Sequence, residues 1–156
     1  CCNPSVVRYR LRKASQRRGK GQMGEREMIL IARILAALAA LFGIVLGLGF
    51  LIDPIKSGAN FFLSPNGIPG MAVLRADMCA FFLTGGILAA AAAWRQNAGF
   101  LIAPILLFAI AITGRTVSLI VDGVTPGAFV PMAVEAFFVV SLLFAHRTFA
   151  ASRSNG

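Results

Sequence analysis

Side chains that commonly act in catalysis or metal binding are scarce in this sequence. Its 156 residues include six acidic residues, three cysteines and one histidine. Cys1 and Cys2 are adjacent and Cys79 stands alone, so their spacing predicts neither a disulfide framework nor a metal site. Nucleophile-elbow and phosphate-loop motifs are missing too. We therefore assign no catalytic residue, expect no metal and no cofactor, and favour a function other than catalysis.

Polar stripes along the apolar segments are also missing. The chain is 58% hydrophobic and 13% charged, and its mean hydropathy of +0.79 is far above that of soluble proteins. A soluble helical bundle needs a polar face on each helix, and residues 86–93 and 101–112 have none. The composition therefore predicts an integral membrane protein.

Four apolar runs are each close to the ~20 residues that cross a bilayer. They cover residues 28–52, 71–94, 98–121 and 129–145. Asp53-Pro54 ends the first run, and the short Gln96-Asn97 turn joins the second to the third. The predicted fold class is an all-α integral membrane protein with an antiparallel four-helix transmembrane bundle. This membrane domain covers residues 28–148, and a polar C-terminal tail follows at 149–156.

The segment before the first apolar run is strongly basic. Eight of the fifteen basic residues precede position 28, where only Glu25 and Glu27 offset them. The chain opens with Cys1, whereas Met23 and Met28 stand just ahead of the apolar run. We expect residues 1–27 to be a disordered or non-native tail, and we do not expect a nucleic-acid partner.

The remaining basic residues predict the orientation. Arg95, Arg147 and Arg153 fall on one side of a four-span bundle, and Lys56 falls on the other. Basic residues collect in cytoplasmic loops, so both termini are predicted to be cytoplasmic. The predicted location is the inner (plasma) membrane of a bacterium.

Glycine and phenylalanine patterns indicate packing. Gly43, Gly47 and Gly49 form a ridge of small residues that includes a GxxxG motif, which lets helices approach closely without requiring a dimer. Phenylalanine pairs recur in the apolar segments and in the first long loop, which we place at the membrane surface. We interpret these phenylalanines as lipid-facing or core residues: 61, 62, 81, 82, 137 and 138.

Three charged residues inside the predicted spans share one depth. Asp77, Arg115 and Glu135 each lie about seven residues from the outer end of a span, roughly 10 Å below the surface at 1.5 Å per residue. A charge at such depth costs about 2.5–3.5 kcal/mol to insert. We therefore predict one inward-facing polar cluster, to which Ser118 belongs because it shares the helix face of Arg115.

Asp77 and Arg115 are the predicted direct pair, because their helices are adjacent. Glu135 either shares Arg115 or stays protonated, since burial favours the neutral acid and a nearby arginine favours the carboxylate. Arg75 and Asp122 are placed nearer the outer mouth. Either the cluster is a neutralised strut that sets helix register, or it is a polar pocket that opens outward.

Part of the sequence resembles a known family. The likeness covers about residues 28–148 and implies a four-helix inner-membrane protein without an established activity. The resemblance is carried by Arg75-Ala76-Asp77, Phe81-Phe82, Gly85-Gly86, Gly114-Arg115, Ser118, Asp122-Gly123, Pro126 and Glu135. On these residues the sequence resembles the bacterial four-helix membrane family catalogued only as domain-of-unknown-function family 4345.

Three functions are compatible with these features. The first is a protein whose polar cluster binds a lipid-like or small polar ligand, or supports a membrane complex. The second is a membrane enzyme that acts on a lipid or isoprenoid, with Glu135 or Asp77 as acid or base. The third is a proton- or ion-coupled carrier. The expected partners are the lipid bilayer, a lipid or small-molecule ligand, and a second copy or another membrane protein.

Overall fold

The computed structural model describes residues 4–124 and 126–154, with side chains over 24–124 and 127–154. Within these ranges the secondary structure is helical and contains no strand. Two 3₁₀ turns, Ala98–Leu101 and Pro126–Ala128, and one π-helical turn, Leu74–Met78, join the α-helices. The α-helices are α1 (Pro4–Ile52), α2 (Pro54–Ala59), α3 (Gly67–Val73), α4 (Cys79–Arg95), α5 (Ile102–Val121) and α6 (Phe129–Ser154).

The prediction of four spans is confirmed. Four helical stretches are long and apolar enough to cross a membrane: Gly24–Ile52, Gly67–Arg95, Ala98–Val121 and Phe129–Ser154. The second begins before the predicted position 71, because α3 and the π turn run directly into α4. These helices are those of an integral membrane protein.

Both ends of the chain differ from the predicted span limits. α6 continues past position 145, and Phe149 in this extension is fully buried, so its packing holds the added turns to the bundle. α1 begins at Pro4, well before position 28. Most of the predicted tail over 1–27 falls outside the residues with described side chains, and its disordered or non-native character stays a prediction.

Glycines hold α1 and α4 at backbone contact. A Cβ atom at Gly43 would lie 2.7 Å from the carbonyl oxygen of Phe82, and one at Gly86 would lie 2.8 Å from the Ile44 nitrogen. Side chains larger than hydrogen do not fit such an approach. The GxxxG motif of α1 is thus used within the chain, where α1 packs more extensively on α4 than on any other helix.

Two apolar clusters fill the bundle. The first is rich in alanine and joins α1, α4, α5 and α6, with Leu101, Leu142 and Phe149 fully buried at its centre. The second is aromatic and centres on Phe50 and Phe82, whose rings stack with centroids 5.8 Å apart. The aromatic cluster lies toward the end of α1 and the beginning of α4. Its Phe82 borders the same cavity as Asp77, Arg115 and Glu135.

The Gln96-Asn97 turn between α4 and α5 is as short as predicted. Gln96 adopts the left-handed conformation that ends α4, and the Asn97 side chain accepts a hydrogen bond of 3.0 Å from the Gly99 amide. The Nη1 atom of Arg153 donates to the same Asn97 oxygen at 3.1 Å. The C-terminal end of α6 is therefore tied to this turn.

Candidate functional site

An ion pair joins α5 to α6. The Nε atom of Arg115 donates to Oε1 of Glu135 at 2.8 Å. It is the one ion pair formed among the residues from 24 onward whose side chains are described. The side chain of Arg115 is 32% exposed and that of Glu135 is 11% exposed, so the carboxylate is nearly buried and the guanidinium is only half-buried. The Coulomb attraction within such a pair is stronger than at an open surface, and the desolvation of the two charges offsets part of this gain.

The positions of the two residues near the connected ends of α5 and α6 explain why they form a pair. Arg115 lies in the second half of α5, and Glu135 lies in the second turn of α6, just beyond the 3₁₀ turn that connects the helices. Pro131 falls in the first turn of α6, where its missing amide donor costs no helical hydrogen bond. The short connection brings the late part of α5 and the early part of α6 to the same level.

The second carboxylate oxygen of Glu135 has no hydrogen-bond partner. Oε2 is buried and meets no donor among the described protein groups. A buried polar oxygen without a partner costs about 1–3 kcal/mol. Glu135 therefore has one oxygen committed to Arg115 and one with bonding capacity to spare.

A first cavity, the aromatic cavity, opens beside the pair. Its volume is about 550 Å³, which is within the range of pockets that hold small organic molecules. Apolar side chains make most of the wall, and Asn60, Asp77, Arg115 and Glu135 are the polar contributors. The apolar wall consists of Phe42, Leu46, Phe61, Met78, Phe81, Phe82, Phe108, Ala111, Val130, Pro131 and Val134.

A second cavity, the polar cavity, is lined by the same pair. Its volume is about 850 Å³, and it reaches the loop between α5 and α6. Ser118 and Asp122 line it, and the Ser118 hydroxyl donates a short hydrogen bond to Oδ2 of Asp122. The two cavities share four lining residues: Phe61, Ala111, Arg115 and Glu135. The ion pair thus lines both cavities.

The predicted pairing of Asp77 with Arg115 is wrong in this structure. Asp77 lines the aromatic cavity with Arg115 and Glu135, but it is exposed and forms no ion pair with any described side chain. Asp77 falls in the π-helical turn Leu74–Met78, whose wider spacing changes the direction of its side chains from the α-helical one. In addition, α5 packs more extensively on α6 than on α4, which favours Glu135 as the partner.

Arg75 is placed away from the other predicted residues. Its Nε atom donates to the carbonyl oxygen of Leu51 at 3.1 Å, near the end of α1. It lines neither the aromatic nor the polar cavity, and it borders a separate cavity formed by residues of α2 and α3. Arg75 therefore satisfies a carbonyl at a helix end, and the structure brings together Asp77, Arg115, Ser118, Asp122 and Glu135.

The aromatic residues of the site were not identified from the sequence. Phe61 lines both cavities, and Phe81 and Phe82 line the aromatic one. All three also belong to the aromatic core cluster or pack against it, in agreement with the lipid-facing or core interpretation, which did not foresee the cavities. Phe61 packs against Phe50 and Phe82 with centroid distances of 5.6 and 5.7 Å. The unusual apolar character of the first loop was the available signal, because a loop phenylalanine needs an apolar place to pack.

Among the described residues, no group of three or more His, Cys, Asp or Glu side chains is arranged to hold a metal ion. Comparison of the chain with protein-family models, with curated proteins and with solved structures finds no match. The geometry of the two cavities is therefore the basis for a function.

Proposed function

We propose that this protein binds a lipid-like or small polar ligand beside the Arg115–Glu135 pair, in the inner membrane of a bacterium. One observation carries the proposal: a partly buried ion pair lines two sizeable cavities. Ionisable residues inside a membrane protein are costly and commonly mark a pathway or a ligand site. The aromatic cavity suits an apolar body, and the polar cavity suits a head group.

The geometry of the pair favours a ligand site over a structural strut. An arginine and a carboxylate that only brace two helices bind best through two parallel hydrogen bonds. Here the hydrogen bond runs through Nε, and Oε2 of Glu135 has no partner among the described groups. The Arg115 side chain is also 32% exposed to the space around it. The pair therefore keeps bonding capacity for a third group.

The placement in the membrane is part of the same proposal. We propose an antiparallel bundle with both termini in the cytoplasm and the two cavities toward the outer surface. Support comes from the turn at Asn97, where the side chain accepts from Arg153, while Nε of Arg33 donates to the carbonyl oxygen of Ala93. Basic residues from α1 and α6 thus meet beside one turn, which is the arrangement expected of a cytoplasmic face.

We also propose membership in the four-helix family that the sequence resembles. This membership would imply the same placement in an inner membrane and would leave the activity open. Support within the chain comes from Arg115, Ser118, Asp122 and Glu135, which carry the resemblance and which line one cavity.

Native mass spectrometry in lipid nanodiscs tests the proposed binding. Wild-type protein is compared with two variants. Glu135→Gln removes the charge of the carboxylate at nearly constant shape. Ala111→Phe adds a ring at a residue that lines both cavities and so reduces the volume available to a ligand. The matched control is Val117→Phe, which adds a ring at an exposed position of the same helix.

We expect a bound species in wild-type protein and in Val117→Phe, and its loss in Ala111→Phe and Glu135→Gln. Far-ultraviolet circular dichroism of each variant confirms that the helices are retained. A wild-type protein that carries no bound species, or a species retained equally by all variants, would contradict the proposal and would favour a structural role for the pair.

A further inference from the structure

The charges around the two cavities are unbalanced. Asp77, Arg115 and Glu135 line the aromatic cavity, so two acids face one base. Arg115, Asp122 and Glu135 line the polar cavity in the same ratio. With these groups ionised, each cavity carries one negative charge in excess. A ligand with a positive charge would neutralise that excess, whereas an anion would add to it.

Each cavity has one acid that is not neutralised. Neither Asp77, in the aromatic cavity, nor Asp122, in the polar cavity, has an ion-pair partner among the described side chains. The hydrogen bond that Asp122 accepts from Ser118 leaves its charge in place. Glu135 lines both cavities and is paired with Arg115 at 2.8 Å, so it does not distinguish them. The walls of the cavities therefore decide which of them suits a cation better.

The wall of the aromatic cavity suits a cation as well. Five of its lining side chains are phenylalanines: Phe42, Phe61, Phe81, Phe82 and Phe108. The face of an aromatic ring is electron-rich and attracts cations, most of all where water is excluded. The same rings provide a dispersion surface for an apolar body. Carboxylates and aromatic faces together are the groups that recognise an organic cation.

We propose that the aromatic cavity binds a hydrophobic cation, a positively charged amine or ammonium group on an apolar body. Its charge lies near Asp77, and its apolar body packs against the phenylalanines. This inference rests on the proposed function and names its ligand class. The charged group comes either from the head group of an aminolipid or from a free hydrophobic amine, and both present the same chemistry to the cavity.

Two probe ions of equal shape and opposite charge test the inference. Tetraphenylphosphonium is the cation and tetraphenylborate is the anion, and both are titrated onto the protein in phosphatidylglycerol nanodiscs, which contain no cationic nitrogen. Empty nanodiscs give the partition of each ion into lipid. Asp77→Asn removes the unpaired carboxylate, and Asp53→Asn is the control, because Asp53 caps α2 outside both cavities.

We expect saturable binding of the phosphonium above the empty-disc level and no such binding of the borate. Asp77→Asn should weaken phosphonium binding about tenfold, as the loss of one Coulomb attraction predicts, and Asp53→Asn should not weaken it. The comparison of the two ions uses wild-type protein alone, so it stands even if Asp77→Asn does not fold.

Other results would overturn the inference. Preferential binding of the borate would assign the cavity to anions through Arg115, and equal binding of both ions would show recognition of apolar volume only. In either case the cavity would still bind a ligand, so the proposed function would survive. Binding of neither ion would also reject the inference, and native mass spectrometry would then decide separately whether the proposed function fails as well.

Competition distinguishes the two sources of the charged group. If phosphatidylethanolamine added to the nanodiscs displaces the phosphonium, the source is an aminolipid. If dodecylamine displaces it and phosphatidylethanolamine does not, the source is a free amine. If neither displaces it, the amine and ammonium class is rejected.

Discussion

Nε of Arg115 and Oε1 of Glu135 lie 2.8 Å apart across two helices that are joined by a short loop. The two residues are 20 positions apart in the chain, so the pair closes a small loop and sets the register of α5 against α6. The same two side chains line both the aromatic and the polar cavity. Their contribution to stability and their contribution to binding can therefore be measured on the same variants.

Removal of Arg115 should cost stability. Arg115→Ala leaves the Glu135 carboxylate nearly buried without its partner, and such a loss costs 3–5 kcal/mol in a fully buried pair. Because Arg115 is 32% exposed, we expect about 2 kcal/mol in the free energy of unfolding. Denaturant unfolding in detergent, followed by circular dichroism, gives this value.

The double variant Arg115→Ala with Glu135→Ala is the control for that measurement. It removes both charges, so part of the lost stability should return and the double-mutant cycle should show a coupling of about 1 kcal/mol. Losses that simply add in the double variant would show that the two side chains do not stabilise one another.

A methyl group added where α1 and α4 are in backbone contact should destabilise the bundle. In Gly86→Ala the new methyl group would lie 2.8 Å from the Ile44 nitrogen and 3.0 Å from the carbonyl oxygen of Ala40, both of them backbone atoms. We expect a loss of about 1–3 kcal/mol, as for other overpacked sites. The thermal melting temperature of the purified variant reports the change.

Gly114→Ala is the matched control, because a Cβ atom at this helical position has no neighbour within 4 Å. Alanine favours a helix over glycine by about 0.5–1 kcal/mol, so this variant should melt at the same or a higher temperature. If Gly86→Ala has the same melting temperature as Gly114→Ala, α1 and α4 do not approach each other as closely as described.

The adjacent loop phenylalanines should respond differently to substitution. Phe61 is half-buried and lines both cavities, so Phe61→Ala should cost about 2–3 kcal/mol, somewhat below the range for buried phenylalanine. Phe62 is 77% exposed and has a φ of 60°, in the region that favours glycine. Phe62→Gly relieves that conformation and should change stability by less than about 1 kcal/mol. Equal losses in both variants, measured by thermal melting, would contradict this.

The orientation is tested by labelling single cysteines in intact bacterial spheroplasts. Native cysteines are first replaced, and Ser64→Cys and Ser154→Cys are then introduced separately at exposed positions. A membrane-impermeant maleimide should label Ser64→Cys, in the loop before α3, and should label Ser154→Cys only after lysis. Labelling of both in intact spheroplasts would mean that the C-terminus is not cytoplasmic.

The sequence predicts the spans of this protein better than it predicts the contacts between them. Hydropathy located all four helices, since a membrane-spanning helix needs only length and apolar side chains. Counting residues along each helix also brought Asp77, Arg115 and Glu135 to one cavity. The sequence offered Glu135 only as the second candidate to pair with Arg115, behind Asp77, because the π turn around Asp77 and the preference of α5 for α6 arise from packing between distant segments.

The contacts of Phe61, in the loop between α2 and α3, also depend on packing between distant segments. Phe61 contacts Phe50 and Phe82, which lie 11 and 21 positions away on different helices. The apolar character of the loop indicates that Phe61 packs against other residues, but not that it completes a cavity wall. The π turn that contains Asp77 has no sequence signature of its own. These features require the relative placement of the helices.

The buried glycine face has a consequence for assembly. Gly43 and Gly86 bring α1 and α4 together within one chain, so neither glycine is available to a second copy unless the protomer opens. A GxxxG motif in such a chain does not signify self-association. An oligomer that leaves the protomer closed uses other surfaces, such as the one that carries the outward-facing aliphatic side chains of Leu41, Ile110 and Val140, where its contacts are those of a lipid-exposed surface.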